Sequence, residues 1–249
     1  LAGLFHHVAP MTMFPVQDFA QAKASRLKGP ETSVGADGDW SPGLLRSHAY
    51  EKLLTDIILG DLAPMSVLDE RALAARYATG VAGVRDALGR LALEGLVVRR
   101  PRVGTVVAPM DLREIENAFQ VRHMLEARTA ALAAQKASEA DLAAITHAFD
   151  GAEAAIAVGD VRAMLVMDRT FHKAVAAATH NPTLARFVVS LQNVATRFWI
   201  WAMERQSAAD QLADVERHRE LARCIAARDP AASEAAAAHL VGDPPSAYR

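Results

Sequence analysis

The sequence predicts a mostly α-helical protein, with an N-terminal winged helix-turn-helix followed by a C-terminal antiparallel all-helical bundle. Three observations predict it: short apolar-periodic segments with tight breaks before Gly95, two β-branched runs flanking Pro101, and helix start signals repeated through the remainder. A chain of 249 residues is long enough for two domains, each with its own core. With 51% hydrophobic and only 6% aromatic residues, and abundant alanine, the composition favours soluble helices. No apolar run approaches the roughly 20 residues that span a bilayer, so no membrane partner and a cytoplasmic location are expected. Cys224 is the only cysteine, which excludes an intramolecular disulfide and a thiolate zinc site. The formal net charge of -2 argues against blanket attraction to nucleic acid, but it averages over domains.

Residues 1–40 show no sustained period and carry the Gly-, Pro-, Ser- and Asp-containing run from Gly29 to Asp39. They read as a disordered or loosely attached extension. Alternatively, Leu4-Phe5 and Met11 to Phe14 form a short apolar arm, or Met11 or Met13 is the true first residue. The winged-helix domain is expected over residues 41–109. Leu45, Ala49, Leu53, Ile57 and Ile58 recur at helical spacing until Gly60, and Asp69 is an N-cap for a short helix carrying Leu73 and Ala74 inward. Val81, Val84, Leu88 and Leu91 give a third helix that stops at Gly95. Leu96-Val97-Val98 and Val103 to Val107, separated by a short turn through Pro101, read as a β-hairpin.

Beyond Pro109 a helical domain is expected over residues 110–241, with a tail at 242–249. Asp111 with Glu114, Ser138 with Asp141 and Ser207 with Asp210 have capping-box spacing. Asp160, Asn181-Pro182 and Asp229-Pro230 supply further caps. Six helices follow, near 111–136, 138–157, 160–179, 182–205, 208–228 and 230–240. Trp199, Trp201 and Met203 are expected to fill core or interface space.

Two clusters carry chemistry. Arg85, Arg90, Arg99, Arg100 and Arg102 lie in the third helix and hairpin against only Asp86 and Glu94, a basic surface suited to phosphate contacts; the alternative for the arginines of the hairpin tip is a solvated turn. Asp168 and His172, four apart, share one helix face and are able to ligate one ion, though that spacing is also that of a solvated hydrogen-bonded pair. Ile115, Phe119, Arg122 and Glu126 share a face of the first bundle helix, so Arg122 either points inward toward an anion or pairs with Glu126. Arg186, Ser190, Asn193 and Arg197 form a polar stripe that either meets a ligand or faces solvent.

Residues 44–108 resemble the winged-helix domain of GntR-type regulators, above all in Val84-Arg85-Asp86-Ala87-Leu88, Leu91, Glu94-Gly95-Leu96-Val97 and Gly104-Thr105-Val106-Val107. The resemblance implies that Arg85 contacts double-stranded operator DNA and that Gly104 permits close approach of the wing. Where the family usually reads Val-Ser-Arg-Thr-Pro-Val-Arg, this chain has Thr79-Gly80-Val81-Ala82-Gly83-Val84-Arg85, without the Ser cap, the base-reading Arg or the Pro. Losing a bidentate Arg–guanine contact removes about 1–3 kcal/mol of base discrimination.

Asp168-Arg169-Thr170-Phe171-His172, His180-Asn181-Pro182, Glu216-Arg217-His218, Ala238-His239-Leu240 and the Arg122-x-x-x-Glu126 pair are similar to the FCD-type ligand-binding domain of the family's FadR-like branch. That resemblance implies a divalent ion, Zn, Ni, Mn or Fe, on Asp168, His172, His218 and His239, and a small carboxylate effector for which Arg122, Asn193 and Arg197 are candidates. Gly242-Asp243-Pro244-Pro245 stops the last helix early, leaving His239 near a frayed end. The expected protein is a homodimeric repressor on a palindromic operator. Two rivals are a metal-dependent enzyme on the helical domain and a degenerate regulator with weak operator specificity.

Overall fold

A computed structural model describes residues 42–203 and 205–242, with residues 42–47 described by their backbone alone. The expected extension over residues 1–40 and the tail beyond Gly242 lie outside these. The described residues form ten helices and a two-stranded sheet.

The first unit is built from α1 (Pro42–Ile58), α2 (Glu70–Arg76), α3 (Val81–Leu93), β1 (Val97–Arg100) and β2 (Gly104–Val107). Helix α1 buries Ala49, Tyr50, Leu53, Leu54, Ile57 and Ile58. It ends where Gly60 takes φ +74°, a left-handed turn that favours glycine. Asp69 caps α2 by accepting from the Arg71 and Ala72 amides at 2.8 and 3.0 Å. Arg76 and the Tyr77 hydroxyl, at 2.7 and 2.6 Å, hold Asp56 of α1. Helix α3 buries Val84, Ala87, Leu88 and Leu91 at the spacing of one helical face. The hairpin pairs Val97 with Val107 through to Arg100 with Gly104, and Val67 adds a bridge to Val106 that the sequence did not announce.

The second unit comprises α4 (Leu112–Lys136), α5 (Glu139–Thr146), α6 (Ala152–Val158), α7 (Val161–Ala177), α8 (Pro182–Met203), α9 (Ala208–Ala226) and α10 (Pro230–Val241). The capping boxes at Ser138/Asp141 and Ser207/Asp210 are complete, whereas at Asp111 the cap only accepts from the Arg113 and Glu114 amides. One expected helix, 138–157, is instead two. Gly151, at φ +87°, turns the chain between them and delivers Phe149 into the core at 3% exposure. Helix α4 packs against α8 and α10, and α7 against α8. Trp201 and Phe198 stack at 5.7 Å within a cluster that includes Phe119, while Met203 is fully buried in the main core. Among the described residues no helix is long and apolar enough to cross a membrane.

Candidate functional site

Helix α7 turns Asp168 and His172 inward on the face that also buries Leu165, Phe171 and Val175, and α9 brings His218 to meet them. One ligand atom from each of the three lies within 4.8 Å of the others, and all three residues are buried. The Nε2 atoms of His172 and His218 both face Asp168 Oδ1 at 3.6 Å. That is too long for a hydrogen bond. It is near the roughly 3.3 Å between two ligand atoms of one tetrahedral ion.

Every other polar atom of the three side chains has a partner. His172 Nδ1 meets Glu126 Oε2 at 2.9 Å, and His218 Nδ1 donates to the Asp214 carbonyl at 2.8 Å. Asp168 Oδ2 accepts from Gln192 Nε2 at 2.8 Å and Thr196 Oγ1 at 3.4 Å. The second ring nitrogens and second oxygen are thereby fixed, which leaves both Nε2 atoms and Oδ1 directed at one point. Phe149 and Phe171 pack on the His218 ring at 4.5 and 5.1 Å and restrict solvent there.

Charge is balanced inside this region. Burial pushes the Glu126 carboxyl up, but Arg122 and His172 outweigh it and pull the group down to about 2. Burial likewise raises Asp168, and the neighbouring His218 and His172 more than offset it, holding the carboxyl below its ordinary range. For His218 burial lowers the imidazole, but Asp168 and Asp214 prevail and raise it. Two imidazoles and a carboxylate on rigid helices, with their outer hydrogen bonds made, form a donor set that could hold a divalent cation.

His239 does not join them. The inward face of α10 carries Ser233, Ala237 and Val241, and His239, two residues from Ala237, lies on the far side and is exposed. Leu240 is the residue that turns toward His172, lining with Glu126, Val175, Val188 and Leu221 a cavity of only about 10 Å³.

The expected effector residues also divide. Arg122 is buried as expected, but its partner is Glu126, Nε to Oε1 at 2.6 Å. Asn193 and Arg197 lie away from the triad, at the junction with the first unit. Asn193 Nδ2 donates to the Tyr50 hydroxyl and to Glu94 Oε2, both at 3.0 Å, and Arg197 Nη2 donates to the Ala108 carbonyl at 2.8 Å. Burial lowers the Arg197 guanidinium to about 10, which leaves it charged at neutral pH. Sequence reasoning missed Gln192, Thr196, Asp214 and Phe149. The Gln192/Thr196 pair, four apart beside the Asn193/Arg197 pair, was the available signal.

The basic surface is exposed in α3 and the hairpin, at Arg85, Arg90, Arg99, Arg100 and Arg102. Arg85 is held by Glu70, with Nη2 to Oε2 at 2.8 Å. Arg90 stacks over the Tyr50 ring at 3.7 Å and lies 3.4 Å from Glu94. Arg100 contacts the Met65 sulfur at 3.7 Å. Arg102 and Gly104 form the wing tip with φ of +65° and +107°, and the second of these disfavours any side chain. Gly80 caps α3 without a side-chain hydrogen bond.

Residues 117–243 match the FCD domain, and residues 45–107 match the bacterial regulatory proteins of the gntR family. The chain is 32% identical over 204 residues to the HTH-type transcriptional repressor GlaR of Escherichia coli K12, covering 77% of this chain and 90% of that one. It is 30% identical over 203 residues to the HTH-type transcriptional regulator LutR of Bacillus subtilis 168, covering 73% and 91%. Among solved structures, Escherichia coli McbR/YncC superposes with a TM-score of 0.70 at 21% identity, over 79% of this chain and 93% of that one.

Proposed function

The chain belongs to the gntR family of bacterial regulatory proteins, and from that premise we propose that it represses transcription by reading operator DNA with its winged helix and a small organic acid with its FCD domain, around a divalent ion held by Asp168, His172 and His218. It is a ligand-responsive DNA-binding regulator, not an enzyme. The observation that carries the metal reading is the convergence of two Nε2 atoms and Asp168 Oδ1 at 3.6 Å with all their other polar atoms already bonded. A bound ion would offer its remaining coordination positions to the oxygens of an acid. Glu126 and Asp214 fix the two rings, Gln192 and Thr196 fix the carboxylate, and the apolar wall of Val175, Val188, Leu221 and Leu240 limits the size of the guest. The present cavity has room for about one water. An acid therefore enters only as those walls move, and ligand affinity is tied to a second arrangement of the helices.

On the DNA side, Arg85 and the arginines of the wing make the phosphate and groove contacts, Arg85 exchanging Glu70 for DNA. The uncapped Gly80 and the apolar Val81 favour weaker base discrimination than a Ser-Arg pair would give. The working form is a homodimer in the cytoplasm, each copy placing one α3 in a half-site, with half-sites about 34 Å apart.

Elemental analysis of the purified full-length protein tests the metal site. Wild type should retain a divalent ion and His172→Ala and His218→Ala should lose it; normal content in both variants would refute the assignment. His239→Ala should leave metal affinity unchanged. Leu240→His, which puts an imidazole on the cavity wall that also carries His172, should tighten metal binding in chelator competition. Loss of metal on His239→Ala would contradict the register seen in α10.

A further inference from the structure

Helix α8 has two polar faces a hundred degrees apart, and they serve different domains. Gln192 and Thr196, four residues apart, hold Asp168. Asn193 and Arg197, each the next residue along, hold the first unit through Tyr50, Glu94 and the Ala108 carbonyl. Helix α7 repeats the arrangement. Arg169 follows Asp168 and donates to Glu51 of α1 at 2.8 Å; Lys173 follows His172 and donates to the same carboxylate at 3.2 Å.

These contacts end on the recognition helix. Glu94 is the C-cap of α3 and accepts from Tyr50 at 2.8 Å, while Arg90 of α3 stacks on the Tyr50 ring. Burial, then Glu94, raises the Tyr50 phenol above its ordinary value, so it remains a donor. Among the described residues the junction is not fully satisfied: Arg169 Nε, Asn193 Oδ1 and Arg197 Nε are buried without a hydrogen-bond partner. Unpartnered buried polar atoms at the junction carry a free-energy cost that a packing which pairs them would recover.

We propose that Asn193, Arg197, Arg169 and Lys173 are positioning residues that transmit the state of the Asp168–His172–His218 cluster to helix α3, with Asn193 as the latch on Tyr50 and Glu94. The proposal rests on reading that cluster as the sensing site. A shift of Asp168 moves Gln192 and Thr196, rotates or slides α8, and changes the grip of Asn193 one residue away. The ordering of α1 and α3, and hence the spacing of the two recognition helices in a dimer, follows.

Hydrogen exchange of the full chain, with zinc chloride as the probe and zinc content measured on the same samples, tests this. In wild type, zinc should alter exchange of amides in α3 and the neighbouring part of α1 by about fivefold or more, the low end of allosteric coupling. In Asn193→Ala combined with Arg169→Ala, zinc content should be retained and the α3 response lost. Zinc bound to wild type with changes confined to α7 and α8, or a full α3 response in the double variant, would overturn the latch. A wild type that takes up no zinc would count against the metal reading instead. The latch is then decided by Asp168→Asn without any ion: altered exchange in α3 supports it, and unaltered exchange in α3 refutes it.

Discussion

Replacing Glu126 by alanine should destabilise the protein by about 3–5 kcal/mol, the cost of leaving a buried charge unpaired. The Arg122 and Glu126 side chains are only 7% and 8% exposed, with Nε and Oε1 at 2.6 Å, and Glu126 also receives His172 Nδ1 at 2.9 Å. Its removal leaves a guanidinium in the bundle without its counter-charge and frees the His172 ring to turn. Urea denaturation would measure the loss. Replacing both partners, as Arg122→Met with Glu126→Leu, should recover most of it, because two apolar groups leave no unpaired charge. A loss below about 0.5 kcal/mol for the single change, the range of ordinary surface substitutions, would contradict the ion pair. The pH dependence has a definite sign. The folded Glu126 carboxyl sits at about 2, below its ordinary value of 4.5, so its contribution is present above the unfolded value and fades as the pH falls toward 2.

Metal affinity should fall steeply on acidification, by about tenfold per pH unit once His218 is protonated. Burial lowers the His218 imidazole, but Asp168 and Asp214 raise it above its ordinary value, and an ion must displace that proton. In the metal-free protein the same shift has the opposite consequence. A raised imidazole contributes stability that is complete below the unfolded pKa and is lost as the pH rises through the folded one. Zinc should therefore stabilise the protein most at mildly alkaline pH, by about 2.7 kcal/mol at a hundred times Kd, and progressively less toward pH 5. Thermal unfolding with and without zinc across that range reads both trends. An equal zinc-induced shift at all pH values, or the same shift in His218→Ala, would rule out His218 as a ligand.

The three-helix unit and its hairpin were legible because strong local signals agreed: a stripe that includes Val84, Leu88 and Leu91, a cap at Asp69, and two β-branched runs about a turn. Asp168 and His172 were legible for the same reason, sharing one face of an amphipathic helix. The break at Gly151 did carry a local signal, the Asp150-Gly151 pair that marks turns, but Ile145, Phe149 and Ile156 keep near-helical spacing across it and favour one continuous helix. In α10 the run from Ala235 to Ala238 carries no polar contrast, so nothing local marks the buried face; packing against α4 decides that Leu240 and not His239 turns inward. Gln192, Asn193, Thr196 and Arg197 are all polar and adjacent. Which pair meets Asp168 and which meets Tyr50 depends on two neighbouring helices, a fact of tertiary packing that periodicity does not encode.

An acid sensed among Asp168, His172 and His218 should change the grip of the winged helix on DNA. The most direct test is titration of the zinc-loaded protein against DNA from upstream of its own gene, at fixed salt, with a panel of small organic acids. The protein should prefer this DNA over random DNA, its affinity should fall about 5–150-fold with at least one acid, and His172→Ala should show no such response. Equal binding to random DNA, or an acid response that survives in His172→Ala, would contradict these expectations.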